Sequence, residues 1–215
     1  MDNSEKTVAY TTKNSYSTLN ALTDKTKNVW IVLHGIGYLS RYFLKYFDAL
    51  PSAENYVIAP QAPSKYYLNN EYRHVGASWL TKEETVRETQ NVMNYLDALL
   101  DKENIPDKCN LIVFGFSQGV SIAARWVAKR KLTCNHLALY AGGMPDELQS
   151  YDFDFLIENG TKVTILVGDK DEYLTKERQK IETIKIEKLF GGLAKQILFE
   201  GGHEVKKELI NKLVK

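Results

Sequence analysis

Two cysteines in 215 residues are too few for a disulfide framework. Cys109 and Cys134 border expected strands, take part in no metal-ligand spacing, and fit a reduced compartment. An excess of one charge is also missing. The 28 lysines and arginines against 27 aspartates and glutamates leave a net charge of +1. The chain therefore carries no bulk electrostatic footprint for nucleic acid or an acidic surface. No apolar run reaches membrane-spanning length. The opening Met1-Asp2-Asn3-Ser4-Glu5 is polar and acidic, with no apolar segment behind it to act as a secretory leader. Internal repeats, linkers and low-complexity stretches are absent too. These absences lead us to expect a soluble, cytoplasmic protein with no nucleic-acid partner and no membrane span. What is present is 44% hydrophobic residues, enough for one well-buried core and short for two. A single domain spanning 1–215 is expected.

Along the chain, strand and helix signals alternate. Thr7 to Leu22 holds Thr/Tyr/Val-rich pieces broken at Lys13-Asn14-Ser15, which predicts an antiparallel hairpin at a sheet edge. Val29-Trp30-Ile31-Val32-Leu33 is a continuous apolar run, the mark of a strand buried on both faces, and it ends in His34-Gly35-Ile36-Gly37. Ser40 to Leu50 has helical spacing, with Phe43, Leu44, Phe47 and Leu50 on one stripe. Tyr56 to Ala59 reads as a strand stopped at Pro60 and Pro63. Ser64 to Leu80 has no regular period and reads as a long loop bordering a site. Thr81 and Glu84 suggest a capping box for a helix burying Val92, Met93, Leu96, Leu99 and Leu100. Further strands are expected at Leu111–Phe114, Leu137–Tyr140, Val163–Val167 and Gln196–Phe199. Between the last two runs a Lys/Glu-rich helix, with Ile181, Ile184 and Leu189, stops at Gly191-Gly192, and its charges read as a solvated face. A closing helix is expected to bury Val205, Leu209, Ile210 and Leu213. Such alternation predicts an α/β fold: a mostly parallel central sheet flanked by helices on both faces. Working residues in such sheets gather at the carboxyl ends of the strands.

The most informative stretch is Gly115-Phe116-Ser117-Gln118-Gly119, which follows a strand and precedes a helix-compatible run from Val120 to Ala128. This G-x-S-x-G turn would hold the serine in a strained conformation with its hydroxyl above the sheet. Glycines two residues before and after relieve crowding against neighbouring backbone. A serine hydroxyl needs a base, and a histidine base needs an orienting carboxylate. Of four histidines, only His203 follows a strand end and also comes last in the chain, as the order Ser, Asp, His requires. The loop after Val167 offers Asp169, Asp171 and Glu172. Asp171 is favoured because it stands farther out, whereas Asp169 follows the turn glycine and is expected to bond backbone within that turn. Main-chain N–H groups of Ile36 and Gln118 are the candidate oxyanion donors, which leaves their side chains uninformative about catalysis. Ile36, Tyr38, Trp79, Leu80, Phe116, Met144 and Leu174 are candidates for an apolar acyl pocket, each with core packing as its alternative.

These motifs together resemble the small carboxylesterase/acyl-protein thioesterase (phospholipase/carboxylesterase) family of α/β-hydrolases. The resemblance runs from Trp30 onward. It rests on Leu33-His34-Gly35-Ile36-Gly37, Ala59-Pro60-Gln61-Ala62-Pro63, Ser78-Trp79, the Gly115–Gly119 elbow, Gly168-Asp169-Lys170-Asp171 and Glu200-Gly201-Gly202-His203. It implies Asp171 as the catalytic acid, a compact fold without a large cap domain, and action on esters or thioesters with no cofactor and no metal. The chain departs from the family pattern at Tyr38, at Leu80-Thr81 and at Leu174-Thr175, all near the site's mouth, so family substrate preferences are not carried over. The expected activity is cleavage of short to medium acyl esters or thioesters through an acyl-enzyme, with Ser117 as nucleophile, His203 as base and Asp171 as acid. The expected partner is a small-molecule ester or thioester. A homodimer is compatible with the sequence but does not follow from it. The alternatives are a non-catalytic ligand-binding protein on the same fold, or an amidase or peptidase using the same three residues.

Overall fold

Val29–Leu33 lies inside a strand with both faces covered, and the rest of the sheet is built outward from it. In this computed structural model, residues 4–69 and 71–214 are described; most of the polar opening, residues 1–3, lies outside them. The strands are β1 (Tyr16–Leu19), β2 (Asn28–Leu33), β3 (Asn55–Pro60), β4 (Ser64–Tyr67), β5 (Val75–Ser78), β6 (Asn110–Phe116), β7 (His136–Tyr140), β8 (Lys162–Gly168) and β9 (Ala194–Phe199). Seven of them form one sheet in the order β1-β3-β2-β6-β7-β8-β9. Only β1 runs antiparallel to its neighbour. The register sets Ile31 beside Val113 and Leu33 beside Gly115.

Successive side chains of a strand point to opposite faces, so a strand covered on both sides must be apolar throughout. One face (Ile31, Val113, Leu139, Ile165) packs under α2 (Thr85–Glu103), α3 (Gln118–Arg130), α4 (Asp154–Glu158) and α5 (Lys176–Phe190). The other face (Trp30, Phe114, Tyr140, Leu166) is covered by α1 (Ser40–Phe43), its continuation as a 3-10 turn over Leu44–Tyr46, and α6 (Lys207–Lys212). The alternation of strand and helix thus yields the mostly parallel sheet expected, an α/β-hydrolase arrangement with no large cap among the described residues.

Local expectations fared unevenly. The hairpin expected over Thr7–Leu22 is a single edge strand, β1; residues 4–15 form no regular structure, because Thr7 to Thr12 are exposed and meet nothing against which a β face could pack. Ser64–Leu80 is a β-hairpin, β4 with β5, rather than an irregular loop. All of β4 is exposed, which removes the alternation that would have marked it as a strand. The capping box at Thr81 and Glu84 does not form. α2 begins at Thr85 behind a left-handed Glu84, and Thr81 Oγ1 accepts the Glu83 N–H at 3.2 Å. In α5 the apolar contacts come from Ile186, Leu189 and Phe190, while Ile181 and Ile184 face solvent. The helix does end at Gly191, whose φ of +53° suits a residue without a Cβ.

Candidate active site

Ser117 joins β6 to α3 with φ 54° and ψ −118°, a conformation that typically costs a non-glycine residue about 1–3 kcal/mol. Its neighbours hold it there: its N–H donates to the Tyr140 carbonyl at 2.9 Å, and its carbonyl accepts the Val120 N–H at 3.0 Å. The flanking glycines are needed because backbone approaches closely. A Cβ on Gly119 would lie 2.0 Å from the Leu33 carbonyl oxygen, and one on Gly115 would lie 2.5 Å from the Gly119 oxygen. The elbow is therefore wedged between β2 and the first turn of α3, with the serine hydroxyl left at the carboxyl end of the sheet.

His203 arrives on the loop after β9 and Asp171 on the loop after β8. His203 Nε2 lies 2.9 Å from Ser117 Oγ, and His203 Nδ1 lies 2.8 Å from Asp171 Oδ2. The Asp171 side chain has no solvent exposure, and its other oxygen accepts the N–H groups of Tyr173 at 2.9 Å and Leu174 at 3.1 Å. Three donors thus converge on a buried carboxylate, which leaves neither of its oxygens without a hydrogen-bond partner. With the proton of the neutral imidazole on Nδ1, the Nε2 lone pair faces the serine. The ring is tilted against Phe116, 5.0 Å between centroids, and meets Tyr173 in a T-shaped contact at 4.7 Å.

The two loops are also bonded to each other. Asp169 N–H donates to the Phe199 carbonyl at 2.9 Å, and Lys170 N–H donates to the Gly201 carbonyl at 2.9 Å. Asp169 does not bond within its own turn; its carboxylate accepts the Gly201 N–H at 2.9 Å, reaching across to the histidine loop. Glu172 accepts the His203 N–H at 3.4 Å.

Gln118 is the first residue of α3, so its N–H has no carbonyl within the helix to bond and sits at the helix's positive end. The Ile36 N–H has no protein acceptor among the described residues, while the next one, Gly37 N–H, donates to Ala77 of the hairpin at 2.8 Å. The side chain of Gln118 also has a defined place, which the sequence did not signal. Its Oε1 accepts the Trp79 N–H at 2.8 Å, and its Nε2 donates to the Leu80 carbonyl at 2.8 Å and to Ser78 Oγ at 3.0 Å. A second unsignalled side chain is His34, fully buried, with burial pushing its imidazole down to about 4. The adjacency of His34 to Gly35-Ile36, and of Ser78 to Trp79, was the only available cue.

The pocket candidates separate by burial. Trp79 is 1% exposed and Phe116 is 2% exposed, so both are core side chains and not pocket walls; neither has surface to offer an acyl chain. Met144 is buried as well, its N–H donating to Glu182 Oε2 at 2.8 Å. Glu182 is thus a buried carboxylate in the charge-rich helix that the sequence suggested was solvated; its charge is met by Lys185, 3.7 Å away. Leu174, also buried, lines a cavity of about 90 Å³ with Gly142, Ile165, Val167, Ile186 and Ile197. Tyr38 and Leu80 are partly exposed. The Tyr38 hydroxyl lies 3.1 Å from that of Tyr46, and burial followed by that contact pushes the phenol up to about 12. Ile36, 54% exposed, and Tyr173, 63% exposed, present uncharged side chains beside the site, and the exposed Glu172 carboxylate stands next to Tyr173 against the His203 loop. A larger depression of about 600 Å³ lies at the opposite, amino-terminal rim of the sheet, lined by Asp24, Lys27, Glu54 and Lys108 among others, away from this chemistry. No group of three or more His, Cys, Asp or Glu among the described residues is arranged to hold a metal ion.

No family model matches the chain, and no curated protein matches it in sequence. Solved structures match it in fold. Acyl-protein thioesterase 2 of Zea mays is 15% identical, with 94% of this chain and 96% of that one covered and a TM-score of 0.67. A phospholipase/carboxylesterase of Dyadobacter fermentans is 19% identical, with 96% and 99% covered and a TM-score of 0.66. The Bacillus cereus carboxylesterase is 18% identical, with 93% and 91% covered and a TM-score of 0.63. At these identities the likeness establishes the α/β-hydrolase fold.

Proposed function

We propose that this protein is a single-domain serine hydrolase of the small carboxylesterase/acyl-protein thioesterase type, cleaving carboxylic esters or thioesters of short to medium acyl chains. The observation that carries this reading is the unbroken hydrogen-bonded line from Ser117 Oγ through His203 to the buried Asp171. A fold shared with proteins described as thioesterases and carboxylesterases supports the same class.

In this mechanism Ser117 Oγ attacks the acyl carbon while its proton passes to His203 Nε2. Asp171 holds the ring in its Nδ1–H form and stabilises the imidazolium. The tetrahedral oxyanion is held by the main-chain N–H groups of Ile36 and Gln118, each worth roughly 3–4 kcal/mol of transition-state stabilisation. His203 returns the proton to the departing alcohol or thiol. A water molecule, deprotonated by the same nitrogen, then attacks the acyl carbon, and His203 returns that proton to Ser117 Oγ as the acid departs. The exposed, uncharged side chains of Ile36 and Tyr173 favour an apolar acyl group, and the neighbouring Glu172 carboxylate disfavours an anionic one. No helix among the described residues is long and apolar enough to cross a membrane.

The test is covalent labelling with a fluorophosphonate probe, run beside a panel of p-nitrophenyl esters of increasing chain length and an acyl-CoA. Labelling and ester turnover are expected for the wild type. Both should be lost in Ser117→Ala, with turnover falling about a million-fold. Failure of the wild type to label or turn over any of these would leave a ligand-binding role on the hydrolase fold. Anilide turnover exceeding ester turnover would move the assignment to an amidase.

A further inference from the structure

Ile36 and Gln118 stand 82 positions apart by their residue numbers, on different elements, yet an oxyanion site needs their N–H groups aimed at one point. A chain of hydrogen bonds, partly buried at Gln118 and buried at Trp79 and His34, runs between them. We propose that His34, Trp79 and the side chain of Gln118 form a positioning network that fixes the two main-chain donors relative to each other. This inference rests on the hydrolase reading above.

The chain begins at the elbow. The Gln118 amide accepts from Trp79 N–H at 2.8 Å and donates to the Leu80 carbonyl at 2.8 Å, so it grips both sides of one stretch of backbone. Only an amide offers a donor and an acceptor together in that fork; a glutamate would lose the donor. The gripped residue, Trp79, turns its indole N–H to the His34 carbonyl at 2.8 Å and lays its ring 5.1 Å from the imidazole. His34 Nδ1 then donates to the Gly35 carbonyl at 2.8 Å, while its Nε2 accepts the Ala62 N–H at 3.2 Å.

The last bond is the decisive one. The Gly35 carbonyl and the Ile36 N–H belong to the same planar peptide, and no cis bond occurs among the described residues. In a trans peptide the two groups point in opposite directions. Holding the carbonyl down against His34 therefore fixes the outward aim of the Ile36 N–H. A hydrogen bond accepted by that carbonyl also polarises the peptide and strengthens its N–H as a donor. His34 can serve only while neutral, with Nδ1 protonated and Nε2 free, and its burial keeps it so down to about pH 4. Each member of the network is a side chain without contact to the reacting atoms, so the role is positioning and not catalysis.

The test compares Trp79→Phe, His34→Leu and His34→Asn by steady-state ester hydrolysis, together with binding of a trifluoromethyl ketone transition-state analogue. Trp79→Phe removes the indole donor and keeps a ring; His34→Asn keeps a donor near the Nδ1 position; His34→Leu keeps neither donor nor acceptor. Trp79→Phe and His34→Leu are expected to lower kcat ten- to a hundredfold with KM within about twofold, and to weaken the analogue by the same factor. His34→Asn should recover at least a third of the wild-type kcat. The Trp79→Phe/His34→Leu double variant should be no worse than the poorer single one, because Trp79 reaches the Ile36 N–H only through His34, in one serial chain. Folded Trp79→Phe protein with wild-type kcat, or effects of the two substitutions that multiply, would overturn the network. If His34→Leu does not fold, Trp79→Phe and His34→Asn still decide the question. Loss of hydrolysis in the wild type would instead sink the hydrolase reading itself, which these variants do not address.

Discussion

Asp171→Asn is the substitution for which the structure dictates the most specific outcome. One oxygen of Asp171 already accepts two main-chain N–H groups, from Tyr173 and Leu174, and its other oxygen faces His203 Nδ1 at 2.8 Å. An asparagine of the same shape has one carbonyl and one amide group to distribute over those places. Turning the amide toward Tyr173 and Leu174 would set donors against donors at about 3 Å in a site closed to water. The carbonyl must stay there, and the amide must face the imidazole. His203 is then forced to accept at Nδ1 and to carry its proton on Nε2, aimed at Ser117. In that tautomer it cannot take the serine proton. The expected loss in kcat is about 10⁴, equivalent to roughly 5.5 kcal/mol at the transition state. Asp169→Asn is the control: its carboxylate accepts one bond, from Gly201 N–H at 2.9 Å, and an asparagine carbonyl can keep it. A change of less than about threefold is expected there. The assay is p-nitrophenyl ester hydrolysis with kcat and KM determined separately, with thermal melts to check folding. Should folded Asp171→Asn retain more than a tenth of wild-type kcat, or Asp169→Asn fall equally far, the tautomer argument fails.

Gly119→Ala would place a methyl group 2.0 Å from the Leu33 carbonyl oxygen, so backbone must move; a stability loss of about 2–3 kcal/mol is expected in urea unfolding, with loss of esterase turnover. Unchanged unfolding would show that the elbow is looser than described. His34 and His136 are both held down to about 4 by burial, against an unfolded value of 6.5. Their contribution is complete above pH 6.5 and is lost as pH falls toward 4, because only the unfolded chain takes up the protons. Near pH 5 that gives a slope of about 2.4 kcal/mol per pH unit, which urea titrations at pH 7, 6 and 5 will read. A flat stability over that range contradicts the burial argument. Glu182→Ala leaves the buried Met144 N–H without an acceptor and should cost about 1–3 kcal/mol; Glu182→Gln, which still offers a carbonyl, should cost less. Equal losses in the two variants would mean that the charge, and not the acceptor, matters.

Signals of long range and strong period carried well from sequence to structure. The apolar runs at Val29–Leu33 and Leu111–Phe114 could only be satisfied with both faces covered, which forces helices onto both sides of the sheet. What escaped was structure whose cause lies outside its own segment. Exposed β4 has no buried face to print a period. Thr7–Thr12 has β-type residues but no neighbour to pair with. Along α5 the apolar spacing pointed to Ile181 and Ile184, yet the helix turns Ile186 inward and takes Glu182 with it, because a main-chain donor at Met144 waits there. Around the elbow, the glycine spacing reflects collisions that any strand-to-helix turn of this tightness would meet. The work of the Gln118 side chain depends on Trp79, brought beside it by the hairpin's return, and no local pattern encodes that meeting.

The cross-links between the loops after β8 and β9 have a bearing on how this machinery could be altered. Because Asp169 and Lys170 are pinned to Phe199 and Gly201, imidazole and carboxylate are mounted on one rigid bracket that owes nothing to the alcohol opposite. A thiol introduced at position 117 would meet a ready-made ion-pair partner with no refitting of either loop. The His203 arm of the bracket hangs on β9, the outermost strand of the sheet, and the Asp171 arm on β8 just inside it, so any fraying of that border would draw the imidazole off Ser117 in a single movement.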